Sequence, residues 1–351
     1  VSALYSGPAA GVVGAVGVAR QRGYRDVITL DMGGTSTDVS LVVGGVPQMA
    51  PQTRIDGLPV RTPVIDIATV GAGGGSIAWV DDGGLLRVGP QSAGATPGPA
   101  CYGRGGTLLT VTDAHLIRGT LQAKSFLGGT MSVDESAASH ACQALAGQLN
   151  LSVNELADAT IRIAEANIVR AIQQVSTERG HDPRDFVLVP FGGAGGLHAA
   201  RVAEDLGIGS ILVPSNAGVL SAVGLLVSDY VHYRTQTERV LLEALAIQKI
   251  QSVLRQLCDQ ASQFLREQGI DDELHFEPVL EMRYVGHAFE VSVPSESDLD
   301  TLTTQVSASA FAQAHHRVFD FSKPPDKPVA IVTFRSGARA KTGALPVGQS
   351  S

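Results

Sequence analysis

Two aspartates, Asp31 and Asp38, bracket a small polar turn in the segment ITLDMGGTSTDVSLV, residues 28–42. Folded as a hairpin about Gly33, Gly34, Thr35 and Ser36, the segment sets Met32 opposite Thr37 and Asp31 opposite Asp38. Facing residues of an antiparallel pair lie roughly 4.5–5.5 Å apart at Cβ, where like charges repel. Asp and Gly are also common at solvated hairpin tips, but here the flanks are nearly continuous apolar runs, so the hairpin belongs inside a sheet. An opposed carboxylate pair in that setting needs a cation. Mg²⁺, a hard ion that keeps its waters and bridges to phosphate oxygens, suits two carboxylates. The amides of Gly33, Gly34 and Thr35 and the hydroxyls of Thr35, Ser36 and Thr37 are then placed to hold those phosphates.

A second constellation is LVPFGGAGGLHAARVAEDLG, residues 188–207. A buried strand enters a turn of Gly192, Gly193, Gly195 and Gly196 and leaves it as a helix N-terminus, a geometry that binds anions. The spacing is GGxGG, not the GxGxxG of dinucleotide folds, and no acid follows about 20 residues on at a strand end. Tight packing of helix on sheet explains the glycines equally well. His198, in the first turn of that helix, reads as a structural histidine. The third cluster, VGAGGGSIAWV (70–80), reads as a loop against which something packs closely; Ser76 has no G-x-S-x-G elbow around it. Glu155 and Glu165 read as helix surface charges, and His315-His316 has no acidic partner nearby in sequence.

Composition bounds the rest. The 351 residues suffice for two domains, and 44% apolar with 17% charged residues supports large cores. A net charge of −8 with no basic block argues against nucleic acid or an anionic membrane as the main partner. The three cysteines, Cys101, Cys142 and Cys258, are scattered without a CxxC, so a reducing, cytoplasmic setting fits. The longest apolar run, 9–19, falls short of the roughly 18 residues that a membrane span needs. No signal peptide opens the chain. The sequence begins without Met, which points to a fragment or a processed subunit.

The elements that must position these residues follow from periodicity and punctuation. Residues 8–22 read as a Gly/Ala helix with Pro in its first turn. Strands follow the hairpin between 60 and 90, and 89–107 is too rich in Gly and Pro for regular structure. Capping boxes at Ser132/Glu135 and Ser152/Glu155 open two helices, the second running to about Arg179. Residues 186–190 and 211–214 read as strands flanking a helix over 197–206. Near residue 236 the texture changes to a helix over 241–268, a hairpin over 274–294, a helix over 298–319 capped by Ser297, and a strand over 329–335. The expected organisation is an α/β lobe over 1–235, a small αββαβ domain over 236–340 and a frayed tail over 341–351.

SGPAAGVVGA, DMGGTSTDVSL, the stretch from GAGGGSIAWV to GPACYGRGG, TVTDAHLIRGTL, FGGAGGLHAARVAEDLG and VPSNAGVLSAVGLL together resemble, in order, the hydantoinase A / 5-oxoprolinase family. The resemblance spans about 2–235, and MRYVGHAFEVSV and FAQAHHRVFD extend it more loosely. Departures are mild: Thr96 stands where the pattern has Asp, His115 where it has Asn and His287 where it has Gln. The family lies in the ATPase superfamily of actin, sugar kinases and heat-shock chaperones. The resemblance therefore implies a ribonuclease-H-like α/β lobe with a mixed sheet, plus a small α+β C-terminal domain. It also implies that the hairpin is the second of two that hold one ATP, with Asp31 and Asp38 organising Mg²⁺, Gly33–Thr37 lining the phosphates and FGGAGG serving adenosine. No second D-x-G-G-T occurs in the chain, so the first hairpin is expected on an N-terminal lobe before Val1, and this segment alone should bind ATP weakly. The implied activity is ATP-dependent opening of a cyclic amide such as 5-oxoproline or a hydantoin, completed by a hydantoinase B-like subunit or domain. Ketone carboxylation and a non-catalytic nucleotide-binding scaffold stand as alternatives.

Overall fold

The structure, a computed structural model, describes residues 6–50, 53–55, 58–60, 64–295 and 298–342. The chain divides into two units after Val227. In chain order the first runs α1 (Ser6–Gln21), β1 (Val27–Met32), β2 (Thr37–Val43), β3 (Ile67–Val70), β4 (Ser76–Val80), β5 (Leu86–Ser92) and α2 (Val111–Ile117). It continues through α3 (Glu135–Leu149), α4 (Val153–Val175), β6 (Val187–Phe191), α5 (Gly195–Leu206) and α6 (Leu220–Val227), with shorter strands between 46 and 65.

The opening hairpin forms in the expected register, Asp31 facing Asp38 and Met32 facing Thr37. Ile28, Leu30, Met32, Val39 and Leu41 enter a core shared with α4 and α5. On the opposite face Val27 and Val42 pack with Val12 and Val16 of α1. With both faces buried, a one-residue slip would put polar groups into a core, so the register is fixed. β3 lies antiparallel to β2, β6 parallel to β1, and Ile211 bridges in parallel to Leu188. The order 3-2-1-6, antiparallel first and parallel last, with helices on both faces, is a ribonuclease-H-like mixed sheet.

Local chemistry sets the boundaries. Ser152 and Glu155 form the expected capping box. α3 is capped instead by Asp134, whose carboxylate accepts from the Ala137 amide, because the Asp134 amide is itself fixed on the Cys101 carbonyl. α4 stops at Val175, where the Ser176 hydroxyl donates back to Ile172 and the chain tightens into a turn. Within 89–107, β5 persists to Ser92, and the remainder is irregular but held. The buried Asp113 carboxylate accepts from the amides of Ala100, Cys101 and Thr110 and from the Thr110 hydroxyl.

The second unit holds β7 (Tyr230–Leu241), α7 (Ile247–Glu267), β8 (Leu274–Tyr284), β9 (Val291–Pro294), α8 (Thr304–Phe319) and β10 (Val329–Ala340). Its sheet is antiparallel in the order β7-β10-β8-β9. β7 pairs with β10 from Tyr230 onward, which moves the division ahead of the expected 235 and puts a strand before the αββαβ unit. α8 is capped by Thr303, six residues after the expected Ser297, which lies outside the described residues together with 343–351.

α1 and α6 cross through glycine. A Cβ on Gly224 would stand 1.8 Å from the Ala10 carbonyl oxygen, whereas one on Gly147 of α3 would meet nothing within 4 Å. Gly224→Ala should therefore destabilise by about 1–3 kcal/mol, while Gly147→Ala should stabilise by about 0.5–1 kcal/mol. Urea midpoints of the two variants check the opposite signs.

Candidate functional site

β1 and β6 are parallel neighbours with Asp31 level with Phe191, so the Gly33 turn and the Gly192 turn leave the sheet at the same carboxyl edge. Because β3 runs antiparallel to β2 with Val70 level with Thr37, the 71–75 loop leaves there too. Open α/β sheets bind ligands at this edge. The three glycine clusters, far apart in sequence, thus meet for a topological reason.

The 71–75 loop holds the hairpin turn by its carbonyls. The Gly74 amide donates to the Gly33 carbonyl at 3.0 Å and the Gly75 amide to the Gly34 carbonyl at 2.6 Å. Gly73 lies so close that a Cβ there would stand 2.6 Å from the Thr35 carbonyl carbon. A peptide group is planar, with its N–H opposite its C=O. Fixing the Gly33 and Gly34 carbonyls on this loop therefore aims the amides of Gly34 and Thr35 away from it. Among the described residues, the amides of Gly34, Thr35 and Ser36 donate to no group.

The remaining hairpin residues divide. The Gly33 amide closes the turn on the Ser36 carbonyl at 3.1 Å, so it is not available to a ligand. Thr37 is buried and its hydroxyl donates to the Ala72 carbonyl, so it ties the hairpin to the loop instead of lining phosphates. Thr35 is exposed and Ser36 half-buried.

At the second turn, Gly192 is held on the Ala217 carbonyl and Ala194 on the Met32 carbonyl. A Cβ on Gly192 would stand 2.5 Å from Asp31 Oδ1, so this glycine is needed for packing beside the carboxylate, and its φ of +78° favours glycine as well. Gly195 is likewise packed: a Cβ there would stand 3.1 Å from the Leu30 carbonyl oxygen. Gly193 and Gly196 are different: as at Gly33 and Gly34, an added Cβ would meet nothing within 4 Å, and none of the four needs a left-handed backbone. α5 begins at Ala194 without a side-chain cap, leaving the amides of Gly193, Gly195 and Gly196 without partners among the described residues.

Asp31 and Asp38 are half-buried at the mouth of a crevice that also touches Pro8, Thr29 and Ile67 and is too narrow to hold water. Burial, then the Asp38 charge, pushes Asp31 up to about 6 against a hydrogen bond from Ser221 of α6. Burial also raises Asp38 against a 2.5 Å hydrogen bond donated by Thr69 of β3. Two destabilised carboxylates with a hydroxyl each form a donor set for a hard divalent cation. No cluster of three or more acidic, His or Cys side chains able to hold a metal occurs among the described residues, so such an ion would take its other ligands from water and phosphate.

Sequence reasoning missed Ser221 and Thr69, which reach the aspartates from other elements. It also misplaced Glu165, which is buried on α4. A hollow of about 590 Å³ beside Cys101–Gly103 and Ser132–Glu135 is lined by none of the candidate residues.

The hydantoinase/oxoprolinase family profile matches residues 1–234. The chain belongs to the hydantoinase/oxoprolinase family. Among its relatives in this family, it is 38% identical to the caprolactamase alpha subunit of Pseudomonas jessenii over 99% of this chain and 51% of that one. It is 33% identical to the 5-oxoprolinase of Saccharomyces cerevisiae over 98% of this chain and 27% of that one. The nucleotide-free structure of an ATP-dependent acetone carboxylase superposes with a TM-score of 0.84 at 25% identity, covering 98% of this chain and 51% of that one. The chain spans about half the length, or less, of the relatives it matches.

The raised Asp31 pKa carries a stability consequence. Between the ordinary 3.8 and about 6 the folded protein holds a proton there that the unfolded chain releases, so stability falls as pH rises through this window. Asp31→Asn should therefore raise the melting temperature at pH 7.5, and the gain should shrink toward zero as pH falls to 4. Thermal melts across that range check it.

Proposed function

We propose that this segment supplies one side of an ATP site in an enzyme that opens a cyclic amide such as 5-oxoproline or a hydantoin. The observation that supports it most is the hairpin turn whose carbonyls are tied back by Gly74 and Gly75, turning the Gly34 and Thr35 amides outward beside two carboxylates. Glycines with no steric or conformational need in their own chain, Gly33, Gly34, Gly193 and Gly196, allow a ligand to approach the backbone closely. The opposing phosphate hairpin would come from outside these 351 residues, since the sequence carries D-x-G-G-T once.

In this reading Gly34, Thr35 and Ser36 donate to the phosphates, the helix α5 N-terminus with Gly193 and Gly196 receives the nucleoside side, and Asp31 and Asp38 hold Mg²⁺. The ion, when bound, neutralises charge on the transferring phosphoryl group. Thr69 and Ser221 orient the carboxylates by hydrogen bonds. The lactam amide oxygen attacks the γ-phosphorus and ADP leaves, giving an O-phosphorylated imidate. Water adds to the ring carbon, the C–N bond breaks as nitrogen takes a proton, and a second water releases phosphate from the acyl phosphate. Phosphoryl transfer needs positioning and charge neutralisation more than a protein nucleophile, which accords with the donor set here. A hydantoinase B-like subunit or domain would complete hydrolysis, in line with relatives that are named as subunits. A cytoplasmic setting fits three buried free cysteines, and no helix among the described residues is long and apolar enough to cross a membrane.

The acetone carboxylase likeness, 0.84 in TM-score, favours a second reading in which the same phosphorylation activates a ketone for carboxylation. Phosphate release by the complete enzyme separates the two: stimulation by a lactam without bicarbonate supports hydrolysis, and a requirement for bicarbonate with a ketone supports carboxylation. Gly34→Ala should raise the KM for ATP about tenfold, the weight of one hydrogen bond to a charged group. Asp31→Asn should lower kcat about 100-fold or more with a smaller change in ATP affinity. ATP-independent turnover, or both variants matching wild type, would exclude the proposal.

A further inference from the structure

Three buried titratable side chains from three helices meet behind the glycine loops: His115 of α2, Glu165 of α4 and His198 of α5. His115 Nε2 and His198 Nε2 are 3.2 Å apart, with the rings edge to face. His198 Nδ1 lies 3.5 Å from Glu165 Oε1, and Arg201 Nε lies 3.8 Å from Glu165 Oε2. At the other end His115 Nδ1 is 2.7 Å from the Thr120 hydroxyl. His198 Nδ1 and Glu165 Oε2 have no hydrogen-bond partner, although both are fully enclosed.

A short Nε2···Nε2 contact requires one ring to donate and the other to accept. The Thr120 hydroxyl, beside His115 Nδ1, donates to the His115 carbonyl at 3.0 Å. Burial and the neighbouring His198 push the pKa of His115 down to about 3, which keeps this ring neutral as the arrangement demands.

The two helices joined by the pair carry two of the three glycine loops. At the start of α2 the Thr112 amide and hydroxyl both donate to the Gly74 carbonyl at 2.8 Å, and Gly74 in turn holds the hairpin turn. At the start of α5 stand Gly193, Gly195 and Gly196. The His115–His198 bond ties α2 directly to α5, and Glu165 anchors the pair on α4.

We propose that Glu165, His198 and His115 form a buried positioning relay that keeps the helix α5 N-terminus in register with the 71–75 loop, and so keeps the two amide sets converged on one nucleotide. The relay rests on the nucleotide reading for its purpose, but the coupling of the loops can be read without nucleotide.

The test uses the complete enzyme containing this chain. His115→Leu keeps bulk but removes the hydrogen-bonding group, whereas His115→Gln returns a polar amide near the Nε2 position. Hydrogen–deuterium exchange is followed in peptides covering 71–76 and 192–197 without ligand, beside KM for ATP and kcat. His115→Leu should speed exchange in both loops and raise the KM about tenfold with kcat changed less than threefold, and His115→Gln should restore both. Should His115→Leu fail to fold, Glu165→Gln carries the same test and should speed exchange at 192–197. Unaltered exchange in both loops, or His115→Gln as impaired as His115→Leu, overturns the relay. Altered and rescued exchange in an enzyme whose wild type proves independent of ATP supports the loop coupling and overturns the nucleotide reading alone.

Discussion

The structure is organised around a repulsion. Asp31 and Asp38 face each other across β1 and β2 and are half-buried, and neither can move away because the hairpin carrying them is buried on both faces, Leu30 and Val39 in one core and Val27 and Val42 in the other. Slipping the register by one residue would exchange Leu30 and Val39 for Asp and Ser in the core, a loss of several buried side chains at about 1.5–3 kcal/mol each. The core thus holds two carboxylates together against their own electrostatics. A hydroxyl from Ser221 and another from Thr69 reduce the repulsion without removing it. Such an arrangement favours a cation when one arrives.

The glycines sort by the same logic. Gly73, Gly192 and Gly195 are fixed by backbone atoms of neighbouring loops, and a side chain on any of them would displace the turn. Gly33, Gly34, Gly193 and Gly196 face open space. The first set builds the site, and the second leaves its surface bare. Between them the planar peptide does the aiming, because tying down the carbonyls at 33 and 34 turns the following amides outward.

The hairpin and its register were legible in the sequence because strand periodicity and a glycine turn leave little choice. The capping box at Ser152 was legible for the same local reason. What escaped depends on tertiary crossing. Ser221 reaches Asp31 through the close contact of α6 with α1 at Gly224 and Gly14, and no local pattern marks it. Glu165 is a different case, since it follows Ile161 by four residues and precedes Ile168 by three, on the buried stripe of α4. Helical spacing alone would have placed that carboxylate inside. The strand β7 was hidden because Val240 alone of its residues is buried and the others are partly or fully exposed, so no apolar face marks it.

We infer that the Asp31–Asp38 hairpin and the Gly193–Gly196 helix start serve one nucleotide from two sides. A structure of the complete enzyme with Mn²⁺ and a non-hydrolysable ATP analogue tests it most directly, because manganese reports its own position by anomalous scattering. The expected result is an anomalous peak between the phosphates and the two carboxylates, with phosphate oxygens on the Gly34 and Thr35 amides. Nucleotide bound elsewhere, for example in the hollow beside Cys101 and Glu135, with no metal at Asp31 and Asp38, would contradict it.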